Sequence, residues 1–266
     1  MSFENNPNGN DVIIQVRNLT AHYGEKRIFN NISFDVYRNE IFVILGPSGC
    51  GKTTLLKQMT GLLQPTSGQV IYNGTDITRL DEDQLAAIQR NIGIAFQAGG
   101  LFNSLTVGEN VALPLREYRD IEESLLQAVV RMKLSLVGLG AAKTLLPAEL
   151  SGGMRKRAGL ARAIALDPPI VYFDEPSAGL DPITAAGLDE LILDLKHLLG
   201  STFVLVTHEL DSVRKIADRV IMLDKGDVIF IGPVDEAQES DVDRVRQFFS
   251  RESDASASAR MGSTQL

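Results

Sequence analysis

Apolar and polar residues alternate along residues 12–18, the two-residue period of a strand with one buried face. Residues 28–37 predict a second strand. Ile41–Leu45 is a short, unbroken apolar run and predicts a buried one. Leu55, Leu56, Met59 and Leu62 then recur at helical spacing. Residues 69–78 look like a hairpin turning at Asn73-Gly74. A short helix is expected over 83–91 and a strand over 92–96, ending at Gln97. From 98 to 138 the pattern is a long, mostly apolar stretch followed by a helix over 121–138. Helical spacing returns at 155–166, and a strand at 170–173 ends in two acids. An amphipathic helix is predicted over 183–199, with Ile183, Leu188, Leu191, Ile192, Leu195 and Leu199 on its core face. A buried strand over 202–206, a helix over 209–218 and a closing hairpin over 219–232 follow. Residues 241–250 have the pattern of a short amphipathic helix. The alternation of strands and helices is that of an α/β chain.

Composition narrows this little. The chain has 266 residues, 44% hydrophobic and 23% charged, enough for one large domain with small subdomains. The net charge of −8 argues against a nucleic-acid partner. A single cysteine, Cys50, allows no intrachain disulfide, which suits a reducing compartment. Residues 1–11 are polar and lack the pattern of a signal peptide. No apolar run approaches the ~18 residues of a spanning helix, so any membrane contact is expected through a partner. Residues 253–266 are polar and of low complexity, and are expected to be disordered.

The chemistry is concentrated after the third strand. Gly46-Pro47-Ser48-Gly49-Cys50-Gly51-Lys52-Thr53 fits the phosphate-loop pattern at every fixed position, between a strand and a helix that continues with Thr54. Glycines let backbone N–H groups turn toward an anion without a side chain in the way. The helix N-terminus adds partial positive charge. Lys52 supplies a full charge for β- and γ-phosphates, and the Thr53 hydroxyl suits Mg²⁺. Cys50 fills a position that the pattern leaves free. Beside a lysine and a helix start, its thiol is expected to have a lowered pKa.

Further residues extend the pattern. An apolar strand ending in Asp174 suits a metal-holding carboxylate, and Glu175 is placed to polarise an attacking water. Ser151-Gly152-Gly153 at a helix start reads either as a simple N-cap or as a second anion nest. His208 lies just past a buried strand, where α/β sheets bind ligands. Tyr23 either stacks on a base or is a half-buried strand-end tyrosine. Gly99-Gly100-Leu101-Phe102 is either core or a docking surface for a partner.

In combination and order these motifs resemble those of ABC transporter ATPases over roughly residues 12–235. The resemblance implies an α/β P-loop NTPase core, with an N-terminal antiparallel β subdomain and a helical insertion at about 98–160. A helical extension over 236–252 would follow. It implies that Tyr23 lies in the A-loop and that Gln97 is the Q-loop glutamine, holding Mg²⁺ with Thr53 and Asp174. Leu150 to Met154 would be the signature, with Met154 where the family more often has glutamine. Ser151, Gly152 and Gly153 would then serve the ATP of a partner copy. Glu175 would be the general base, Asp181 part of the D-loop and His208 the H-loop histidine. ATP and Mg²⁺ are the implied cofactors, and the implied state is a head-to-tail homodimer.

Softer motifs, Phe96 to Phe102, Ala112-Leu113-Pro114-Leu115-Arg116-Glu117 and Gly179 to Thr184, resemble ATPases paired with Mce-type lipid transporters, the Mla phospholipid system above all. That implies a multispanning permease, an Mce-type substrate-binding protein and a small accessory subunit, at the cytoplasmic face of an inner membrane. An importer ATPase for a small solute would share every catalytic motif. A soluble ABC ATPase acting on DNA or ribosomes fits less well, given the acidic balance and the single cassette.

Overall fold

The computed structural model describes residues 11–250. Residues 253–266, expected to be disordered, and all of the polar lead except Asp11 lie outside the described residues.

Two sheets carry the fold. The first is antiparallel, with β1 (Val12–Tyr23) between β2 (Lys26–Tyr37) and β4 (Ser67–Tyr72), and the two-residue β5 (Thr75–Asp76) at the edge. β1 and β2 run past the predicted ends. Asn18 and Asn31, which punctuate the pattern, are absorbed as left-handed residues (φ 50° and 54°) within the register shifts of the pair. The second sheet has the order β10-β9-β3-β8-β7-β6. Its parallel strands are β3 (Ile41–Leu45), β6 (Ile92–Ala95), β7 (Ile170–Asp174), β8 (Thr202–Val206) and β9 (Arg219–Asp224), with β10 (Asp227–Pro233) antiparallel on β9.

The unbroken apolar runs have a direct cause. Each central strand lies between two cores and divides its residues between them. Val43, Val171, Phe173, Phe203 and Leu205 face the core shared with most of the helices. Phe42, Ile44, Tyr172, Val204 and Val206 face the core shared with the first sheet. The Tyr72 and Tyr172 hydroxyls meet in this second core, and Tyr72 also donates to the Met59 carbonyl at 2.7 Å.

The helices are α1 (Lys52–Met59), α2 (Glu82–Gln89), α3 (Val107–Tyr118), α4 (Glu123–Leu136), α5 (Gly152–Ala163), α6 (Pro182–Leu199), α7 (Leu210–Ile216), α8 (Val234–Gln238) and α9 (Asp243–Ser250). α3, α4 and α5 pack together beside β6. Thr106 and Glu109 form a capping box that starts α3. In α6 the buried face is Leu188, Leu191, Ile192 and Leu195, and Leu199 is half-buried. Ile183 departs from the expected core face and is 85% exposed. It lies in the first turn, beyond the edge of the core.

Candidate functional site

β3 delivers the phosphate-loop pattern to the carboxyl edge of the sheet. Gly46, Gly49 and Gly51 take φ of 146°, 79° and 105°, where only glycine is at ease. A Cβ on Gly46 would lie 2.3 Å from the Leu223 carbonyl, and one on Gly51 2.8 Å from Ile28. Sterics from β9 and β2 thus demand those two glycines as well. Lys52 is buried at the first position of α1 and donates to the carbonyls of Gly46 (2.8 Å) and Pro47 (3.1 Å). Pro47, Ser48 and Gly49 are exposed at the tip, and Thr53 is exposed beside it. Thr54, the next residue of α1, is half-buried.

Cys50 overturns its expectation. Its side chain points into the second core at 6% exposure, and its Sγ lies where a Gly46 Cβ would be 2.6 Å away. Burial pushes the thiol up from its usual pKa, against the weaker pull of the Lys52 ammonium. Proximity to a lysine and a helix start predicted a lowered value, and desolvation wins.

The parallel strands set the remaining groups side by side. Ile44 pairs with Val206, and Val206 with Asp174, so β3, β8 and β7 end in line. Asp174 is buried, and burial first, then the Glu175 charge, raises its carboxyl. Lys52, Lys57 and a hydrogen bond from Thr53 oppose that shift. Asp174 Oδ1 is buried with no hydrogen-bond partner among the described residues. It is an acceptor placed next to Thr53, which is the chemistry of a small divalent cation's donor set. Gln97 follows β6, whose Ala95 pairs with Phe173, so it leaves the sheet beside Asp174 and is exposed.

Glu175 is half-buried and left-handed at φ 51°, a conformation that costs roughly 1–2 kcal/mol for a residue with a Cβ. Its N–H donates to the Val206 carbonyl at 2.8 Å. Its Oε1 lies 2.9 Å from His208 Nδ1, joining the predicted base to the predicted histidine across 33 residues of chain. Its Oε2 is buried and unpartnered. The Lys156 ammonium, on α5, donates to its carbonyl at 2.8 Å. Sequence spacing carried no signal for that last contact, because Lys156 reads as one of several basic residues on a helix.

Ser151 is the N-cap of α5, its hydroxyl accepting from Met154 N at 3.2 Å. Gly152 and Gly153 are ordinary first-turn residues, so this is an exposed helix start with a capping serine. Gly153 is needed for packing, because a Cβ there would sit 2.5 Å from Thr184. No hydrogen bond or ion pair among the described residues joins Ser151, Gly152 or Gly153 to the phosphate loop. Asp181 caps α6, accepting from Ile183 N (3.1 Å), Thr184 N (3.0 Å) and Thr184 Oγ1 (2.5 Å), and these bonds hold its carboxyl below the usual range. Tyr23 is 52% exposed at the outer end of the β1–β2 hairpin, whose Ile28 and Phe29 pack against Gly51.

The loop after Gln97 resolves the choice between core and surface by splitting it. Leu101 packs on the core, whereas Phe102 is 52% exposed. The Asn110 side chain, buried on α3, clamps this loop. It accepts from Phe102 N (2.8 Å) and donates to the carbonyls of Phe102, Leu105 and Thr106. The Gly99 and Gly159 backbones meet so closely that a Cβ on Gly159 would lie 2.6 Å from the Gly99 carbonyl. Neither Asn110 nor Gly159 stood out in the sequence. A buried amide in an apolar stretch was the available signal.

The chain resembles known proteins in sequence and in fold. A family model described as ABC transporter matches residues 29–178. The chain is 42% identical over 245 residues to the intermembrane phospholipid transport system ATP-binding protein MlaF of Haemophilus influenzae, covering 92% of this chain and 93% of that one. It is 43% identical over 237 residues to a probable ribonucleotide transport ATP-binding protein, mkl, of Mycobacterium leprae, covering 89% of this chain and 68% of the relative. Among solved structures, the dimeric post-hydrolysis state of the ATP-binding cassette MJ0796, bound to ADP and Pi, superposes with a TM-score of 0.77. It is 32% identical and covers 84% of this chain and 99% of that one. With its phosphate loop, paired strand-end acids and histidine in one sheet edge, the chain belongs to the ABC transporter family and is one of its ATPases.

Proposed function

We propose that two copies of the chain form the ATP-hydrolysing core of a transporter that moves phospholipid between the membranes of a Gram-negative envelope. The observation that carries this reading is the 42% identity to MlaF across nearly the whole of both chains. Lys52 and the loop from Gly46 to Thr54 bind the triphosphate, and Tyr23 packs on the adenine. Thr53, Asp174 and Gln97 would hold Mg²⁺, which would supply charge neutralisation to the phosphates. Glu175 accepts a proton from the attacking water as the water oxygen bonds to the γ-phosphorus and the bond from that phosphorus to the ADP oxygen breaks. His208 holds the Glu175 carboxylate in place. Ser151, Gly152 and Gly153 close over the ATP of the other subunit, and Asp181 keeps the start of α6 rigid beside them. No helix among the described residues is long and apolar enough to cross a membrane. On this reading the ATPase docks at the cytoplasmic face of the inner membrane on a multispanning permease, through Phe102 and its neighbours, together with an Mce-type protein and a small accessory subunit.

The mycobacterial relatives support a second reading, an ATPase for a small solute. Affinity purification from detergent-solubilised membranes, with the partners weighed by mass spectrometry, separates the two. A permease with a single-span Mce-type protein is the expected result. A permease with a soluble solute-binding protein would overturn the phospholipid reading and leave the ATPase intact.

A further inference from the structure

Glu175 is followed by Pro176, and that pairing sets a problem for the backbone. Proline has no N–H, so the peptide plane between them can be held by hydrogen bonding only through the Glu175 carbonyl. Proline also disfavours helical conformations in the residue before it, yet Glu175 is left-handed at φ 51°. The β-ladder secures the residue on its other side, where Glu175 N donates to Val206 O. Past that bond the chain leaves the sheet.

The Glu175 carbonyl has one hydrogen-bond donor among the described residues, the Lys156 ammonium at 2.8 Å. Lys156 is 5% exposed and has no carboxylate partner within ion-pair distance among the described residues. One turn further along α5, Gly159 and Leu160 are buried on the same face. Burial lowers its pKa, and only the Glu175 charge works the other way. A lysine used merely to fill space would be replaced there by a methionine without the cost of burying a charge. This one directs its ammonium at a single main-chain atom. It comes from the helix whose N-terminus carries Ser151, Gly152 and Gly153.

We propose that Lys156 is a positioning residue for Glu175, fixing the peptide plane from which the carboxylate projects toward the water. This rests on the reading of Glu175 as general base. It also gives the helix that caps the partner's ATP a direct hold on the base of this chain's own site. Removing the ammonium frees the plane to rotate and moves the carboxylate relative to the γ-phosphate, which affects turnover more than nucleotide affinity.

The test compares Lys156→Met, Lys156→Arg, Glu175→Gln and the double variant Lys156→Met/Glu175→Gln in the full chain. The readouts are steady-state ATP hydrolysis, thermal unfolding and ATP-driven dimerisation by size-exclusion chromatography. Lys156→Met is expected to lower kcat on the order of ten- to a hundredfold, with KM for ATP within about twofold. Lys156→Arg keeps a donor and is expected to fall less. The double variant is expected to dimerise with ATP as Glu175→Gln alone does, because the signature serine and glycines are untouched. A Lys156→Met protein with wild-type kcat, beside an inactive Glu175→Gln, overturns the proposal. So does a folded Lys156→Arg as slow as Lys156→Met, or a double variant that no longer dimerises, since Lys156 would then serve the helix and not the base. A Glu175→Gln protein that hydrolyses ATP near the wild-type rate would instead remove the assignment of the base, and the inference with it.

Discussion

At the scale of single residues, the site is decided by which side chains are desolvated and which are partnered. Glu175 and His208 meet at 2.9 Å, and the second Glu175 oxygen is buried without a partner. That leaves one oxygen held and one available to a proton. Loss of a general base, the role proposed for Glu175, costs about 10²–10⁴ in rate, so Glu175→Gln is expected to lower kcat by that order while retaining ATP binding. Nucleotide titration alongside the rate measurement checks both halves. Cys50 follows the opposite logic. Its thiol is buried against Gly46 and its pKa is raised, so in the native protein maleimide is expected to react more slowly with Cys50 than with a free cysteine peptide. Cys50→Ser is expected to hydrolyse ATP at close to the wild-type rate. Fast, ATP-protected inactivation by maleimide would place the thiol on the nucleotide side of the loop.

At the scale of elements, close contacts between segments distant in sequence hold the site's geometry. Gly99 on Gly159 presses the loop after Gln97 onto α5, and Gly153 on Thr184 presses the start of α5 onto α6. The packing of α6 on α7 contains a costlier feature. Asp189 is 3% exposed, its Oδ1 has no partner, and burial raises its carboxyl pKa against the Ser212 hydrogen bond and the Lys215 charge. The folded pKa is thus above the unfolded one, and the fold binds this proton more tightly. The stability that protonation brings is fully present below the unfolded pKa and is lost as pH rises through the folded one. At neutral pH the buried charge is a net cost. Asp189→Asn is therefore expected to raise the melting temperature at pH 7 by roughly 2–4 °C, with the gain shrinking as pH falls into the carboxylate range. A melting temperature lower than wild type at pH 7 would show that Asp189 has a charged partner in solution.

At the scale of the whole molecule, the phosphate loop and the Ser151 helix start lie on different elements. The phosphate loop leads off β3, whereas Ser151 caps a helix in the α3–α5 region, with no hydrogen bond between them among the described residues. In the two-fold pairing proposed above, the phosphate loop of each copy is completed by Ser151 of the other. Mixing a Lys52→Ala chain with a Ser151→Arg chain yields dimers with one intact composite site and one doubly damaged one, whereas each homodimer contains none. ATP-driven dimerisation is expected to recover in part in the mixture and in neither variant alone. Equal failure of all three would argue against head-to-tail pairing. Phe102 and Leu113 are exposed apolar residues within 98–116, the region proposed to meet the membrane subunit.

The sequence by itself determined whatever depends on neighbours along the chain. The phosphate loop was legible because strand, glycines, lysine and helix are consecutive, and local backbone geometry needs no distant partner. The central strands were legible because burial on both faces leaves an unbroken apolar run. Asp174, Glu175 and His208 were legible as strand ends, since the carboxyl edge of a parallel sheet is where ligands lie. Only the tertiary structure decided which strand ends are adjacent, because the order β3-β8-β7 places His208 between the phosphate loop and the acids. It likewise decided that Cys50 is desolvated, that Ile183 lies beyond the core edge, and that Lys156 reaches the Glu175 carbonyl across 19 residues of chain. Periodicity specifies the face on which a side chain sits. The element packed against that face sets its solvation and partners, and hence its chemistry.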